Sequence, residues 1–439
     1  MEEVAMPRSP IAQSAVEEKV GTVDWLSSSA ERELKREPSK ERPGALLGPV
    51  KVVHAFWLAG MSCDGCSVAV TGATAPSVED LLLGRLPGVP RVVLHHPVLS
   101  VEAGEAFIRN YEMAVEGTLN APYVIIFEGS VPNERLAAER GGYWCAMGSE
   151  AIPKPIPTTE WLRRMVPGAA AVIAIGTCAT WGGIPAAYGN PTDAMSVMDF
   201  LGKEYLSALG LPVINVPGCS PVGDNFTETV SAILLFLNGL GPLPEFDELG
   251  RPAWLFGQTV HQRCVRAGFY EEGTFARAYG DKECLVEIGC WGPVVQCNIT
   301  SRGAINHVGG CMNTGGICIG CTMPGFPDRF APFYQRPPGT IVSSTASRTV
   351  GSFVRPLRRI TMRFQNRETR WDRQQHVPSG WGNVPAPGRM EKTIHFFYEK
   401  LQYLHSAQPG RTEPEERYTG GYEVPGVLEG ESTPPERRA

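Results

Sequence analysis

The chain has 439 residues and a formal net charge of −6, a balance that indicates neither bulk nucleic-acid affinity nor an acidic tail. Its 49 Gly and 38 Pro make about a fifth of the sequence, against roughly 12% in an average globular protein, while 43% apolar content argues against disorder over most of the length. No run of about 18 apolar residues exists, so no transmembrane helix is expected.

In chain order, residues 1–48 read as a polar arm, with no apolar leader and no twin-arginine pair ahead of one. A cytoplasmic, reducing compartment is therefore expected, and in it twelve cysteines point to metal or catalytic roles rather than disulfides. From Val52 the pattern changes. Short apolar runs recur at Val52–Leu58, Val92–Leu94, Tyr123–Phe127, Ala171–Ile175 and Val213–Val216, each stopped by a Gly- or Pro-containing turn. Such uninterrupted runs suit parallel strands covered on both faces. Amphipathic spacing predicts helices over Asp193–Leu209 and Phe226–Leu237. The alternation predicts an α/β fold over 49–240, a flavodoxin-like doubly wound parallel sheet.

The rhythm ends near Gly241–Pro252, and residues 253–330 combine little periodicity with seven of the twelve cysteines. A piece so poor in apolar runs is expected to lack a core of its own and to be held by coordination. The organisation expected is thus an arm (1–48), the α/β domain (49–240), an irregular cysteine-rich domain (241–330) and an extended Pro- and Arg-rich tail (331–439) with one predicted helix, Glu391–His405.

Cysteine placement carries the chemistry. Cys63 and Cys66 follow the first strand, Cys178 follows Ala171–Ile175, and Cys219 follows Val213–Val216. All four fall at the carboxyl edge of the sheet, where open α/β sheets place ligands. Four thiols from three strand ends make one four-thiolate site. A thioredoxin-like Cys-x-x-Cys pair would leave Cys178 and Cys219 unexplained, and four unrelated buried thiols remain the bland alternative. Downstream, His261-x-x-Cys264 is followed by Cys284, Cys290, Cys297, Cys311 and Cys318-x-x-Cys321. One His with three Cys forms one plausible tetrahedral set, and the other four Cys form a second or a three-thiolate set with one spare. Zinc would accept the same ligands and staple the domain. The bacterial ferredoxin run is absent. Three sites in one chain read more naturally as an iron–sulfur wire.

At these residues the chain resembles the small, electron-transferring subunit of a [NiFe] hydrogenase. The matching signatures are Trp57-Leu58 ahead of Cys63-x-x-Cys66, Glu128-Gly129-Ser130-Val131-Pro132, Gly176-Thr177-Cys178-Ala179, Pro217-Gly218-Cys219, His261-x-x-Cys264, Gly289-Cys290-Trp291-Gly292-Pro293 and Cys318-Ile319-Gly320-Cys321. The resemblance implies three clusters: a proximal 4Fe-4S on Cys63, Cys66, Cys178 and Cys219, a distal 4Fe-4S on His261, Cys264, Cys284 and Cys290, and a medial 3Fe-4S or 4Fe-4S on Cys297, Cys318 and Cys321. It leaves Cys145 as a buried apolar thiol. It also implies a large-subunit partner holding the Ni-Fe centre, no catalytic residue in this chain, a dimer of heterodimers or larger, and H2 oxidation with quinone as acceptor.

Three departures from the family pattern sharpen this. Cys311 stands seven residues before Cys318, where the family has Pro, and is expected as a fourth medial ligand. Asp64 stands inside the first Cys-x-x-Cys, where Thr is usual. It is either a turn residue or an extra proximal ligand, and the Cys63-Asp64-Gly65-Cys66 form resembles the actinobacterial-type, oxygen-insensitive group. The leader and C-terminal membrane helix of exported members are lacking, while Arg348, Arg355, Arg358, Arg359, Arg363, Arg367, Arg370 and Arg373 crowd the tail against Glu368 and Asp372. A subunit-binding or solvated face is the default for these arginines, and peripheral attachment to the inner face of the membrane is the alternative. A quinone-reducing subunit related to respiratory complex I and a zinc-stapled interaction module remain as competing readings.

Overall fold

The computed structural model describes residues 50–151, 154–202 and 204–365. The chain divides into two compact units with the boundary at 254/255. The polar arm, the helix expected over Glu391–His405 and the arginines from Arg367 onward lie outside the described residues.

The first unit is built on a five-stranded, wholly parallel sheet. Its strands are β1 (Val52–Ala59), β2 (Arg91–His95), β3 (Tyr123–Glu128), β6 (Ala171–Ile175) and β7 (Val213–Val216), in spatial order β2-β1-β3-β6-β7. A small antiparallel hairpin, β4 (Ala146–Ala151) with β5 (Lys154–Pro157), stands apart from the sheet. Counting only sheet strands, the order is 2-1-3-4-5, the flavodoxin-like arrangement. Successive residues of one strand enter opposite apolar clusters. Val53, Ala55 and Trp57 lie on one face with Ile173 and Ile214, whereas Phe56 and Leu58 lie on the other with Ile125 and Val172. Burial on both faces is why these strands read as unbroken apolar runs.

The helices that cover the sheet include α1 (Gly65–Thr71), α2 (Glu105–Glu116), α3 (Thr158–Met165), α4 (Gly176–Trp181), α5 (Val197–Leu201) and α6 (Gly223–Leu237). The expected helix over Phe226–Leu237 is present and begins three residues earlier, as α6. The one expected over Asp193–Leu209 is reduced to α5. A Ser196–Asp199 capping box starts it, and Gly202, at φ +89°, ends it. Residues 241–254 pack on this unit: Asn215 donates its backbone N–H to Gly250 O at 2.8 Å, and Trp254 Nε1 donates to Glu228 Oε1 at 2.8 Å.

The second unit holds short elements, among them α7 (Val260–Arg263) and α8 (Ala267–Glu271), and one long helix, α9 (Thr340–Gln365). Contrary to expectation it does have an apolar cluster, in which Leu285, Trp291, Val295, Met312 and Phe330 surround Cys264, Cys290, Cys297 and Cys318. Cysteines are part of the core rather than a substitute for one. Helix α9 falls in the stretch read as tail. It meets α8 through small residues: a side chain at Gly351 would run into the backbone of Glu272, and Ser344 and Ser347 are buried. Arg348 also pairs with Glu287 at 2.7 Å.

Candidate functional site

In the first unit the sheet delivers its thiols from the carboxyl ends of β1, β6 and β7. Cys66 opens α1 and is buried, Cys178 sits in α4 half-buried, and Cys63 and Cys219 are exposed at the rim. Their mutual proximity shows in their electrostatics. The Cys66 thiol is pushed far up by burial, then by Glu128, Cys178, Cys63 and Cys219. The Cys178 thiol rises to about 11, by burial first and then Cys219, with Cys63 and Glu128 adding less and the Ile184 N–H opposing. Burial and Cys63 raise Cys219. The four thiols predicted to form one site are therefore brought together.

Glycines make the approach feasible. Gly176 takes φ +82°, and a Cβ there would overlap Cys66 Sγ; a Cβ on Gly183 would lie 2.8 Å from Cys178 Sγ. The β6 and β7 loops are tied to each other, with Thr177 N donating to Gly218 O and Gly218 N donating to Thr177 Oγ1, both at 3.0 Å. Asp64 sits at φ +59° as the residue before α1, its N–H donating to Ser62 Oγ at 2.9 Å, so the turn role is visible in the backbone.

Sequence reading named Glu128 only as part of a family signature and missed the role of the groups that orient this cradle. Glu128, 1% exposed at the end of the central strand β3, accepts from Cys66 N at 3.1 Å, Ser67 N at 3.4 Å, Ser67 Oγ at 2.5 Å and Trp57 Nε1 at 2.9 Å. A carboxylate at a helix N-terminus satisfies exposed donors and complements the dipole. The chain of bonds continues to His96. Its Nδ1 accepts from Val98 N and Leu99 N, so the proton lies on Nε2 and is donated to Ser67 Oγ at 2.9 Å. The sequence signal was present: Glu128 is the single charge closing an otherwise apolar strand.

In the second unit, a small, tight cavity is lined by His261, Cys264, Cys284 and Cys290, the full predicted distal set, together with Arg266 and Met312. A Thr259–Gln262 capping box fixes α7, which carries His261, and the Tyr270 ring meets the imidazole edge-on at 4.7 Å. Backbone N–H groups aim at the sulfurs: Arg266 N at Cys264 Sγ (3.3 Å), and Gly292 N and Cys318 N at Cys290 Sγ (3.4 Å each). Burial drives the Cys284 and Cys318 thiols well above their ordinary value, and Cys290 up as well against those N–H groups.

Of the predicted medial set, Cys318 is raised by burial, then Cys290, Cys321 and, more weakly, Cys311. Cys318 thus stands near Cys290 of the predicted distal set as well as near Cys321 and Cys311, and the electrostatics alone do not divide these thiols into two sets. Cys311 is exposed as a residue, yet its thiol end is enclosed enough that burial raises it. Cys297 is buried in the same apolar cluster and acts electrostatically on Arg263. Cys145 stands outside both groups. Its N–H donates to Glu134 Oε1 at 3.0 Å, and burial with Glu134 pushes its thiol up to about 12.

These arrangements fit iron–sulfur clusters. No disulfide joins any of the twelve cysteines, all of which lie among the described residues. Buried thiols alone would stay neutral, but these collect N–H donors, which serve sulfur that carries negative charge shared with iron.

Comparison with known proteins agrees with this geometry. Residues 256–334 match the family described as the C-terminal part of the NiFe/NiFeSe hydrogenase small subunit, and residues 63–233 match the NADH ubiquinone oxidoreductase 20 Kd subunit family. The small subunit of the periplasmic [NiFeSe] hydrogenase of Desulfomicrobium baculatum is 34% identical over 66% of this chain and 89% of its own. The small chain of hydrogenase-2 of Escherichia coli is 33% identical over 62% and 67%. Among solved structures, an actinobacterial-type NiFe-hydrogenase from Ralstonia eutropha superposes with a TM-score of 0.69 at 46% identity, over 81% of this chain and 99% of that one.

The sheet, the thiol sets and these relatives define a subunit of an H2 oxidoreductase. The chain belongs to the [NiFe] hydrogenase small-subunit family. The family implies iron–sulfur clusters in this chain and a Ni-Fe large subunit as its partner. The second-unit match also separates the chain from the complex I relatives that share its α/β half.

Proposed function

We propose that this chain conducts electrons from H2 oxidation in the large subunit through three iron–sulfur clusters to an acceptor, with quinone the acceptor favoured by the resemblance. The clusters supply one-electron storage when bound. The chain's own residues hold, insulate and tune them. Cys63, Cys66, Cys178 and Cys219 hold the proximal 4Fe-4S cluster; His261, Cys264, Cys284 and Cys290 hold the distal 4Fe-4S cluster; Cys297, Cys318 and Cys321, with Cys311 as fourth ligand, hold the medial one. Support for the proximal set is the convergence of the other three thiols on Cys66, and support for the distal set is the single cavity lined by all four of its donors.

Asp64, one residue from Cys63 and exposed, is proposed as an alternative oxygen ligand when a thiolate moves off iron. The working assembly is proposed to be a dimer of heterodimers or larger in the cytoplasm, with the arginine-rich extension a subunit-binding or solvated face and peripheral attachment to the inner face of the membrane the alternative. The convergence at Cys66 carries the reading, and co-purification with the large subunit tests it. Iron in excess of zinc and H2-dependent dye reduction are expected. A colourless, zinc-loaded complex without H2-dependent reduction would overturn it.

A further inference from the structure

We propose that Arg266 is a built-in counter-cation that raises the reduction potential of the group held by His261, Cys264, Cys284 and Cys290. The inference rests on that ligand assignment and adds a residue to it. Arg266 is 4% exposed, and its side chain lines the same cavity as the four donors. Its guanidinium is clamped by backbone carbonyls: Nε donates to Met312 O at 3.1 Å, and Nη1 donates to Asp281 O at 2.6 Å and Glu283 O at 2.9 Å. Carbonyls fix the fork and leave its positive charge intact.

A buried cation is costly unless negative charge faces it. Arg266 lines one cavity with Cys264, Cys284 and Cys290, and its own backbone N–H donates to Cys264 Sγ at 3.3 Å. The residue therefore belongs to the thiol set by position. Adding one electron there makes the set more negative, and a fixed cation at low dielectric stabilises that form more than the oxidised one. The competing role is a plain clamp on the 281–283 and 312 backbone, in which charge is incidental.

The test uses the purified heterodimer, with Arg266→Lys and Arg266→Gln, read by EPR-monitored redox titration, iron content and melting temperature. Lys keeps the charge and loses the fork; Gln loses both. At the wild-type midpoint, the ratio of reduced to oxidised distal signal is expected to fall about tenfold in Arg266→Gln, a downward shift of about 59 mV for one electron. In Arg266→Lys the ratio stays within about threefold of wild type while the melting temperature drops. Equal shifts in both variants, or none in either, would overturn the proposal and leave the clamp. Should Arg266→Gln fail to load iron, Arg266→Lys decides, since a tenfold fall with the charge kept contradicts a counter-cation role. Failure of the ligand assignment looks different: Cys284→Ser would then leave the distal signal of the wild type untouched.

Discussion

Gly176 offers the cleanest perturbation of the first site, because one methyl group there tests geometry without altering charge or ligands. It sits at φ +82° immediately after β6, and a Cβ would overlap Cys66 Sγ. In Gly176→Ala the left-handed backbone costs about 1–2 kcal/mol. Relieving the overlap requires the sulfur or the β6 turn to retreat by on the order of 1 Å, since carbon and sulfur settle near 3.5–4 Å. That exceeds the roughly 0.5 Å tolerance of a preorganised site and adds about 1–3 kcal/mol of overpacking. Gly117 is the control. It has φ +67°, closes α2, and a Cβ there meets nothing within 4 Å, so Gly117→Ala carries the backbone cost alone. The assay is iron per heterodimer beside a thermal melt. Gly117→Ala is expected to keep all its iron with a melting temperature a few degrees lower, whereas Gly176→Ala loses one site's iron. Full iron in Gly176→Ala, with a melt matching Gly117→Ala, would refute the cradle.

Glu128→Gln puts an amide N–H2 where only donors point. With the amide nitrogen on the Oε2 side, Ser67 Oγ can turn to accept but Trp57 Nε1 cannot, so a loss of about 1–3 kcal/mol is expected in denaturant unfolding. An unchanged midpoint would show the carboxylate to be incidental. His54 and His95 stack on each other and share a 2.8 Å ring bond, and burial lowers both, His95 to about 4 from 6.5. The folded state keeps them neutral while the unfolded chain takes up protons below pH 6.5, so stability is complete above that pH and falls beneath it. His95 contributes a loss of about 2 kcal/mol between pH 6.5 and 5. Urea midpoints at pH 7 and pH 5 should differ less in His95→Phe than in wild type; an equal difference contradicts the assignment. Cys145→Ala should retain full iron, whereas Cys311→Ala should change the EPR signal of the medial site from a four-iron to a three-iron type; a medial signal identical to wild type in Cys311→Ala would remove it from the ligand set.

The five sheet strands were legible because both their faces are buried, so each reads as an unbroken apolar run. The β4–β5 hairpin was not, since Gly148, Pro153, Pro155 and Pro157 break any alternation across it. Helix α9 was missed for a different reason. It packs through Ser344, Ser347 and Gly351, small residues that permit close backbone approach but leave no apolar stripe to read. Asp193–Leu209 carried the stripe without the helix, because Gly202 ends the turn. The cysteine sets were legible from their position after strands and from their spacing. What they did not disclose were the groups that act on them from elsewhere in the chain. Glu128 reaches Cys66 across 62 positions, and Arg266 reaches Cys284 through the fold of a loop rather than through periodicity.

EPR of the purified heterodimer under H2, beside its iron and zinc content, tests the central claim most directly. The expected result is an iron-rich, zinc-poor complex whose cluster signals all respond to H2, with the proximal signal lost in Cys178→Ser and the distal signal lost in Cys284→Ser. Signals that ignore H2, or that persist unchanged in both variants, would contradict it.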